Sequence, residues 1–215
     1  MNVPTLLVVA KAPVPGLAKT RIAASVGDQL AAELAAAALL DTLDTVAAVG
    51  WPVVVAMTGD LGDAVCADEL ADALSGVRVI GQRGDGLGER LAYAHADADG
   101  GRGVVQVGMD TPQLTVRDYL DAGAAVRAGA RVMGPAADGG WWLLGLPDPR
   151  AAAVLAGVGM SVDDTAEQTE RALGGDVVCL REVRDMDTWD DACAIADGIP
   201  LSRLADVVQS VRVTA

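Results

Sequence analysis

Leu6-Leu7-Val8-Val9-Ala10 runs straight into Lys11-Ala12-Pro13-Val14-Pro15-Gly16-Leu17-Ala18-Lys19-Thr20-Arg21, and a helical stretch follows. A short, unbroken apolar run suits a strand covered on both faces. Open α/β sheets place their ligands in the loops at the carboxyl ends of such strands. The alternation continues along the chain. Further strand-like runs cover residues 52–57, 77–80, 103–107, 131–134, 141–146 and 177–180, after a first at 5–10. Between the first two, Asp28 to Val49 is rich in alanine and carries Leu30, Leu34, Leu40 and Leu43 at roughly helical spacing. Helices are also expected at 63–74, 87–98, 115–128, 163–173, 187–197 and 201–210. Strands alternating with helices predict an α/β fold with a mostly parallel central sheet flanked by helices. No linker, repeat or low-complexity stretch interrupts it, so one domain over residues 1–215 is expected.

The 215 residues are 52% apolar, which supports a full core and excludes disorder. The first apolar run is too short to span a bilayer and has no basic segment before it. Neither a signal peptide nor an anchor is expected, and the location is read as cytoplasmic. Cys66, Cys179 and Cys193 are widely spaced and odd in number, fitting neither a zinc site nor a disulfide frame, so buried, reduced thiols are expected. A formal net charge of −14 repels nucleic acid and anionic lipid, and neither is an expected partner. The two lysines of the chain, Lys11 and Lys19, share one short loop with Arg21. Lysine is a compact point charge for phosphate, and two prolines with Gly16 stiffen and turn the loop around it. The loop is neither a P-loop nor a dinucleotide fingerprint.

Two more turns carry chemistry. Strand 103–107 ends in Gly108-Met109-Asp110-Thr111-Pro112, which places a carboxylate where a magnesium ion on a phosphate chain takes its protein ligand. Asp110 could instead cap the next helix, although Thr111 or Thr115 could do so equally well. Then comes Gly134-Pro135-Ala136-Ala137-Asp138-Gly139-Gly140-Trp141-Trp142, followed by Leu143-Leu144-Gly145-Leu146. The paired glycines allow close backbone approach to a ligand, and Trp141 and Trp142 must face opposite ways along a strand. The same residues also read as a hairpin turn before a buried strand. Near the C-terminus, Asp187 in Arg184-Asp185-Met186-Asp187-Thr188 either completes a metal site with Asp110 or complements a helix N-terminus. The sole histidine, His95, reads as a helix residue outside any catalytic set, and Ser161-Val162-Asp163-Asp164 reads as a helix cap.

Taken together, the K-x-P-x-x-G-x-x-K-T-R loop, the G-x-D-x-P turn and the G-P-x-x-D-G-G-aromatic-x-L-x-G-L segment resemble a bacterial glycosyltransferase family. That family carries the label of a domain of unknown function, lies in the nucleotide-diphospho-sugar transferase superfamily and has the GT-A fold. It is similar in turn to the molybdenum-cofactor and phospholactate guanylyltransferases, which also use a basic loop, a strand-end Asp and a C-terminal D-x-D-T segment. The resemblance implies a Rossmann-like GT-A three-layer sandwich. It implies phosphate or nucleotide contacts from Lys11, Gly16, Lys19, Thr20, Arg21, Gly86 and Arg90. Metal ligation falls to Asp110 and Asp187, with Mg2+ or Mn2+ as the ion. A donor and acceptor pocket is implied around Pro112, Gly139, Gly140, Trp141 and Trp142, with Lys19, Asp110 and Asp138 as the catalytic set. Gly84-Asp85-Gly86-Leu87-Gly88-Glu89-Arg90 matches a region bordering base and ribose, and also reads as a turn opening a helix. One departure stands out: the turn at 108–110 has a single carboxylate where many GT-A glycosyltransferases carry D-x-D.

Three functions fit these residues. The first is a transferase using a nucleotide-diphosphate sugar and an unidentified small-molecule acceptor. The second is a nucleotidyltransferase that joins a nucleoside triphosphate to a phosphorylated metabolite. The third is a nucleotide-sensing module without catalysis.

Overall fold

The apolar runs become strands because the chain buries them from both sides: Leu6, Leu7 and Val8 are all fully buried in consecutive positions. A computed structural model describes residues 3–214. Its strands are β1 (Thr5–Lys11), β2 (Val53–Thr58), β3 (Arg78–Gly81), β4 (Val104–Gly108), β5 (Arg131–Pro135), β6 (Trp141–Leu146) and β7 (Val177–Cys179). They form one sheet in the order β3-β2-β1-β4-β6-β5-β7. All pairings are parallel except those of β6, which runs against both β4 and β5. The sheet is mostly parallel, as expected.

The helices are α1 (Thr20–Val26), α2 (Asp28–Val49), α3 (Ala67–Leu74), α4 (Leu87–Asp97), α5 (Val116–Arg127), α6 (Thr165–Ala172), α7 (Trp189–Gly198) and α8 (Arg203–Thr214). On one face, Leu39, Leu40 and Leu43 of α2, Leu70 of α3 and Tyr119 of α5 pack against Leu6, Val8, Val55 and Val105. On the other face, Ala94 of α4 meets Leu7, Val54 and Val104, and Leu91 meets Leu144 and Leu146. The layers are helix, sheet, helix. α2 needs no polar stripe, because Leu34, Ala37 and Ala38 on its far side bury against α1, α7 and α8.

Three expectations change. The helix expected at 63–74 begins at Ala67, after a short 3-10 turn at Leu61–Asp63. A 3-10 segment at Pro149–Gly157 was not expected, and it packs against α4. Cys66 and Cys179 are exposed rather than buried, and Cys193 is half-buried. No helix among the described residues is long and apolar enough to cross a membrane.

One consequence of the topology decides where chemistry can gather. β1, β4, β5 and β7 all point the same way, so the loops that follow them share one rim of the sheet. Leu180 N–H donates to Met133 C=O at 2.8 Å and Ala137 N–H to Val183 C=O at 3.0 Å. Those bonds lead the segment after β7 along the turn after β5 and up to the same rim.

Candidate functional site

At that rim Lys19 adopts the left-handed region at φ 47°, ψ 50°, a conformation that costs energy for a residue with a side chain. The preceding loop turns back at Gly16 (φ 76°), where Leu17 and Ala18 N–H groups donate to Val14 C=O. Lys19 Nζ thereby reaches Asp110 Oδ2 at 2.9 Å and Asp187 Oδ1 at 3.4 Å, and Arg21 Nη1 donates to Asp187 Oδ2 at 2.8 Å. The Lys19 side chain is only 14% exposed. Burial by itself would lower its pKa, but the charges and hydrogen bonds of Asp110 and Asp187 outweigh burial and hold the ammonium above its ordinary value.

The acidic side is built from two loops zipped together. Met186 N–H donates to Asp110 C=O at 3.0 Å, and the Gln113 amide donates to Arg184 C=O. Met186 is fully buried among α1, α2 and α7. Asp185 and Asp187 flank that anchor on either side. Oxygens of Asp110, Asp185 and Asp187 lie within 4.8 Å of one another. Octahedral magnesium holds oxygens at 2.0–2.1 Å, so neighbouring ligand oxygens are about 3 Å apart and opposite ones about 4 Å, and the three carboxylates would have to draw closer to hold such an ion. The charge is not balanced within the protein. Burial first, then the charges of Asp110, Asp138 and Asp187, push the Asp185 carboxyl up to about 6.

Neither Asp110 nor Asp187 is occupied by helix capping. Thr115 N–H and Oγ1 donate to Asp118 Oδ2 at the start of α5, both at 2.8 Å. At α7, Thr188 N–H donates to Asp191 Oδ2 at 2.9 Å, and Thr188 Oγ1 accepts from Asp191 N–H at 3.2 Å. Ser161 does not cap α6, which begins after Asp164. It has φ 62° and borders the cavity instead.

The two loops open onto a cavity of about 650 Å³, within the range of small-molecule sites. Lys11, Lys19, Thr20 and Arg21 line it together with Asp110, Asp138, Asp185 and Asp187. Asp138 is exposed, with Oδ1 accepting from Gly140 N–H at 2.8 Å. Trp141 and Trp142 do face opposite ways. Trp142 buries in the main core with Nε1 donating to Arg181 C=O at 3.1 Å, in space that the missing side chain of Gly134 leaves open. Trp141 packs on the α4 side, with Nε1 donating to Thr169 Oγ1 at 3.1 Å, and borders the cavity, as do Arg90 and Gly140.

Four expected site residues lie elsewhere. Gly16 shapes the basic loop without bordering the cavity, and Gly86 sits at the start of α4 beside a second, shallower depression. Pro112 is buried. At Gly139 (φ 87°) the Asp163 backbone packs closely, and Gly139 C=O accepts from Ala166 N–H at 2.9 Å. Sequence reasoning missed Asp185, hidden in an acidic run, although its alternation with Asp187 around Met186 was a usable signal. It also missed Gln82, whose amide donates to Ala10 and Ala56 C=O at 2.8 and 2.9 Å, and Gln106, an amide inside an apolar strand.

Residues 40–162 match the family described as "Uncharacterized protein conserved in bacteria (DUF2064)". The chain belongs to that family. No curated protein matches this DUF2064 member. Among solved structures it is similar to a "putative nucleotide-diphospho-sugar transferase" from Desulfovibrio desulfuricans G20. The identity is 26% and the TM-score 0.84, over 96% of this chain and 94% of that one. It shares its fold with the manganese complex of Rv0371c from Mycobacterium tuberculosis H37Rv, at 19% identity and TM-score 0.56 over 89% and 97% of the two chains. It shares it also with 4-diphosphocytidyl-2C-methyl-D-erythritol synthase from Anaerococcus prevotii DSM 20548, at 14% identity and TM-score 0.58 over 97% and 99%. The DUF2064 chain thus has the Rossmann-like architecture of the nucleotidyltransferases and GT-A transferases.

Proposed function

We propose that this protein is a transferase that uses a nucleotide-diphosphate sugar and a divalent cation, Mg2+ or Mn2+. The observation that carries the reading is the meeting of a basic loop and three carboxylates on one cavity wall. The likeness to the Desulfovibrio protein supports the same donor class. Asp110, Asp185 and Asp187 would hold the cation, which when bound offsets charge on the diphosphate oxygens as the sugar leaves them. Lys19 and Arg21 stabilise the same oxygens with charge-assisted hydrogen bonds. Asp138, steadied by Gly140 N–H, keeps its second oxygen free to take the proton of an acceptor hydroxyl. That hydroxyl oxygen bonds to the anomeric carbon, the bond from that carbon to phosphate breaks, and a nucleoside diphosphate leaves.

Nucleotidyl transfer is the second reading. It is favoured by the gathering of Lys11, Lys19 and Arg21, a charge that suits a triphosphate. The phosphate product separates the two. Supplied with pooled metabolites and one donor class at a time, the protein is expected to release nucleoside diphosphate from a nucleotide sugar, and Asp110→Asn to lose that activity. Pyrophosphate from a nucleoside triphosphate, with no sugar donor consumed, replaces the first reading by the second. Tight binding without either product points to the sensing module.

A further inference from the structure

On the α4 side of the sheet, the cavity lining and the layer behind it hold polar atoms without a well-formed hydrogen bond. Gln106 projects from β4 among apolar neighbours, is only 3% exposed and borders the cavity, yet its Oε1 has no hydrogen-bond partner. Beneath it lies His95 of α4, fully buried, whose ring interacts with the Gln106 side chain although neither ring nitrogen makes a hydrogen bond of good geometry. Arg90, just over one helical turn earlier, also borders the cavity. Its Nε is buried without a partner, and no ion pair of Arg90 exists among the described residues. A buried amide without a partner weakens a fold, and Val104, Val105 and Val107 show what the rest of the strand uses. A glutamine here needs another reason.

The surroundings indicate what it receives. Trp141 is fixed by Thr169, and Val9, Leu91 and Met160 complete an apolar wall. A planar amide offers a donor and an acceptor, and a guanidinium offers a fork of donors. Facing an aromatic and aliphatic wall, this set matches a ring with apolar C–H faces and hydroxyls along its edge.

We propose that Gln106 and Arg90 form a subsite for the hydroxyls of a sugar or polyol ring, with His95 backing Gln106 from below. The proposal rests on the transferase reading of the same cavity and names the part of it that distinguishes substrates. A site built around ligand hydroxyls discriminates strongly against analogues that lack them.

The test uses the whole chain and Gln106→Leu. The probes are uridine and guanosine diphosphates, UDP-glucose and GDP-mannose, each with magnesium, and free glucose, mannose and glycerol. His95 is the sole histidine, so its ring resonances report on this spot alone. In the natural protein a nucleotide sugar or a free sugar is expected to shift them. In Gln106→Leu the shift disappears and affinity for the sugar-bearing probe falls roughly tenfold, while the bare diphosphate binds as before. The melting temperature of Gln106→Leu without ligand stays equal or rises. Response to a free sugar assigns the subsite to an acceptor, and response only to the nucleotide sugar assigns it to the donor. A bare diphosphate that shifts His95 as much as its sugar does overturns the proposal. So does silence of His95 toward every hydroxylated probe, or a lowered melting temperature with equal loss of all ligands. Failure of the diphosphates to bind counts against the nucleotide reading alone, because the free sugars still decide the subsite.

Discussion

The Lys19 ammonium bonds two of the three carboxylates, Asp110 and Asp187, that are proposed to hold a divalent ion. The two cations compete for Asp110 and Asp187, and the phosphates of a nucleotide offer Lys19 an alternative partner. Lys19→Ala is therefore expected to tighten binding of manganese alone and to weaken uridine diphosphate relative to uridine. A hydrogen bond to a charged group contributes about 1.5–3 kcal/mol, so each change should be roughly tenfold or more by calorimetry. Unchanged manganese affinity would count against the competition. His95 permits a second prediction at this scale. Burial lowers its pKa to about 4, partly offset by Gln106, while the unfolded imidazole binds a proton below its ordinary value of about 6.5. The unfolded state thus holds more protons through that window, and stability falls as the pH drops across it. His95 contributes nothing to this dependence above about 6.5. The loss should approach about 3 kcal/mol by pH 4, as measured by urea unfolding, and His95→Leu should flatten the slope by close to one proton.

At the scale of elements, α8 is fastened to α2 from outside its own sequence. Asp41 of α2 accepts from the Arg203 and Leu204 backbone N–H groups at 3.1 and 3.0 Å and from the Arg203 guanidinium at 3.3 Å. The first amides of a helix lack intrahelical partners, so a carboxylate from a neighbouring helix serves as the cap. Asp41→Ala is expected to cost about 1–3 kcal/mol and to speed hydrogen exchange in α8 before the rest of the chain. Equal exchange in α8 and in the sheet would mean that the two helices separate only on global unfolding. This cap was invisible beforehand, because it joins residues 162 apart and Asp41 sits inside an alanine-rich helix. The strands were legible for the opposite reason. Val53-Val54-Val55 and Leu6-Leu7-Val8 can hide only between two layers, and periodicity exposes that directly. The break between α1 and α2 at Gly27 (φ 87°) and the 3-10 turns after Asp60 and Asp148 follow from local backbone geometry that periodicity does not encode.

For the molecule as a whole, a net charge of −14 and five carboxylates at one cavity oppose an anionic ligand unless a cation accompanies it. Nucleotide and metal should therefore bind cooperatively. Linkage requires the coupling to be mutual: the factor by which manganese tightens uridine diphosphate must equal the factor by which uridine diphosphate tightens manganese. Titrating each in the absence and presence of the other checks it, and independent binding would remove the metal from the proposal. Lys11, Lys19, Arg21, Asp110 and Asp138 could be singled out from their loops alone. Their pairing could not, since Lys19 meets partners 91 and 168 residues away, and Asp185 joins them only because Met186 is anchored beneath. That spacing has a consequence for synthesis. Chains emerge from the ribosome N-terminus first, and early segments begin to fold before later ones exist. Lys19 and Asp110 can be in place while Asp185 and Asp187 have yet to be translated. A nascent chain can hold the basic loop and a single carboxylate but not the full triad. A cation held by all three carboxylates, as proposed, therefore requires synthesis to have passed Asp187, and a chain that stops earlier keeps the basic loop without that site.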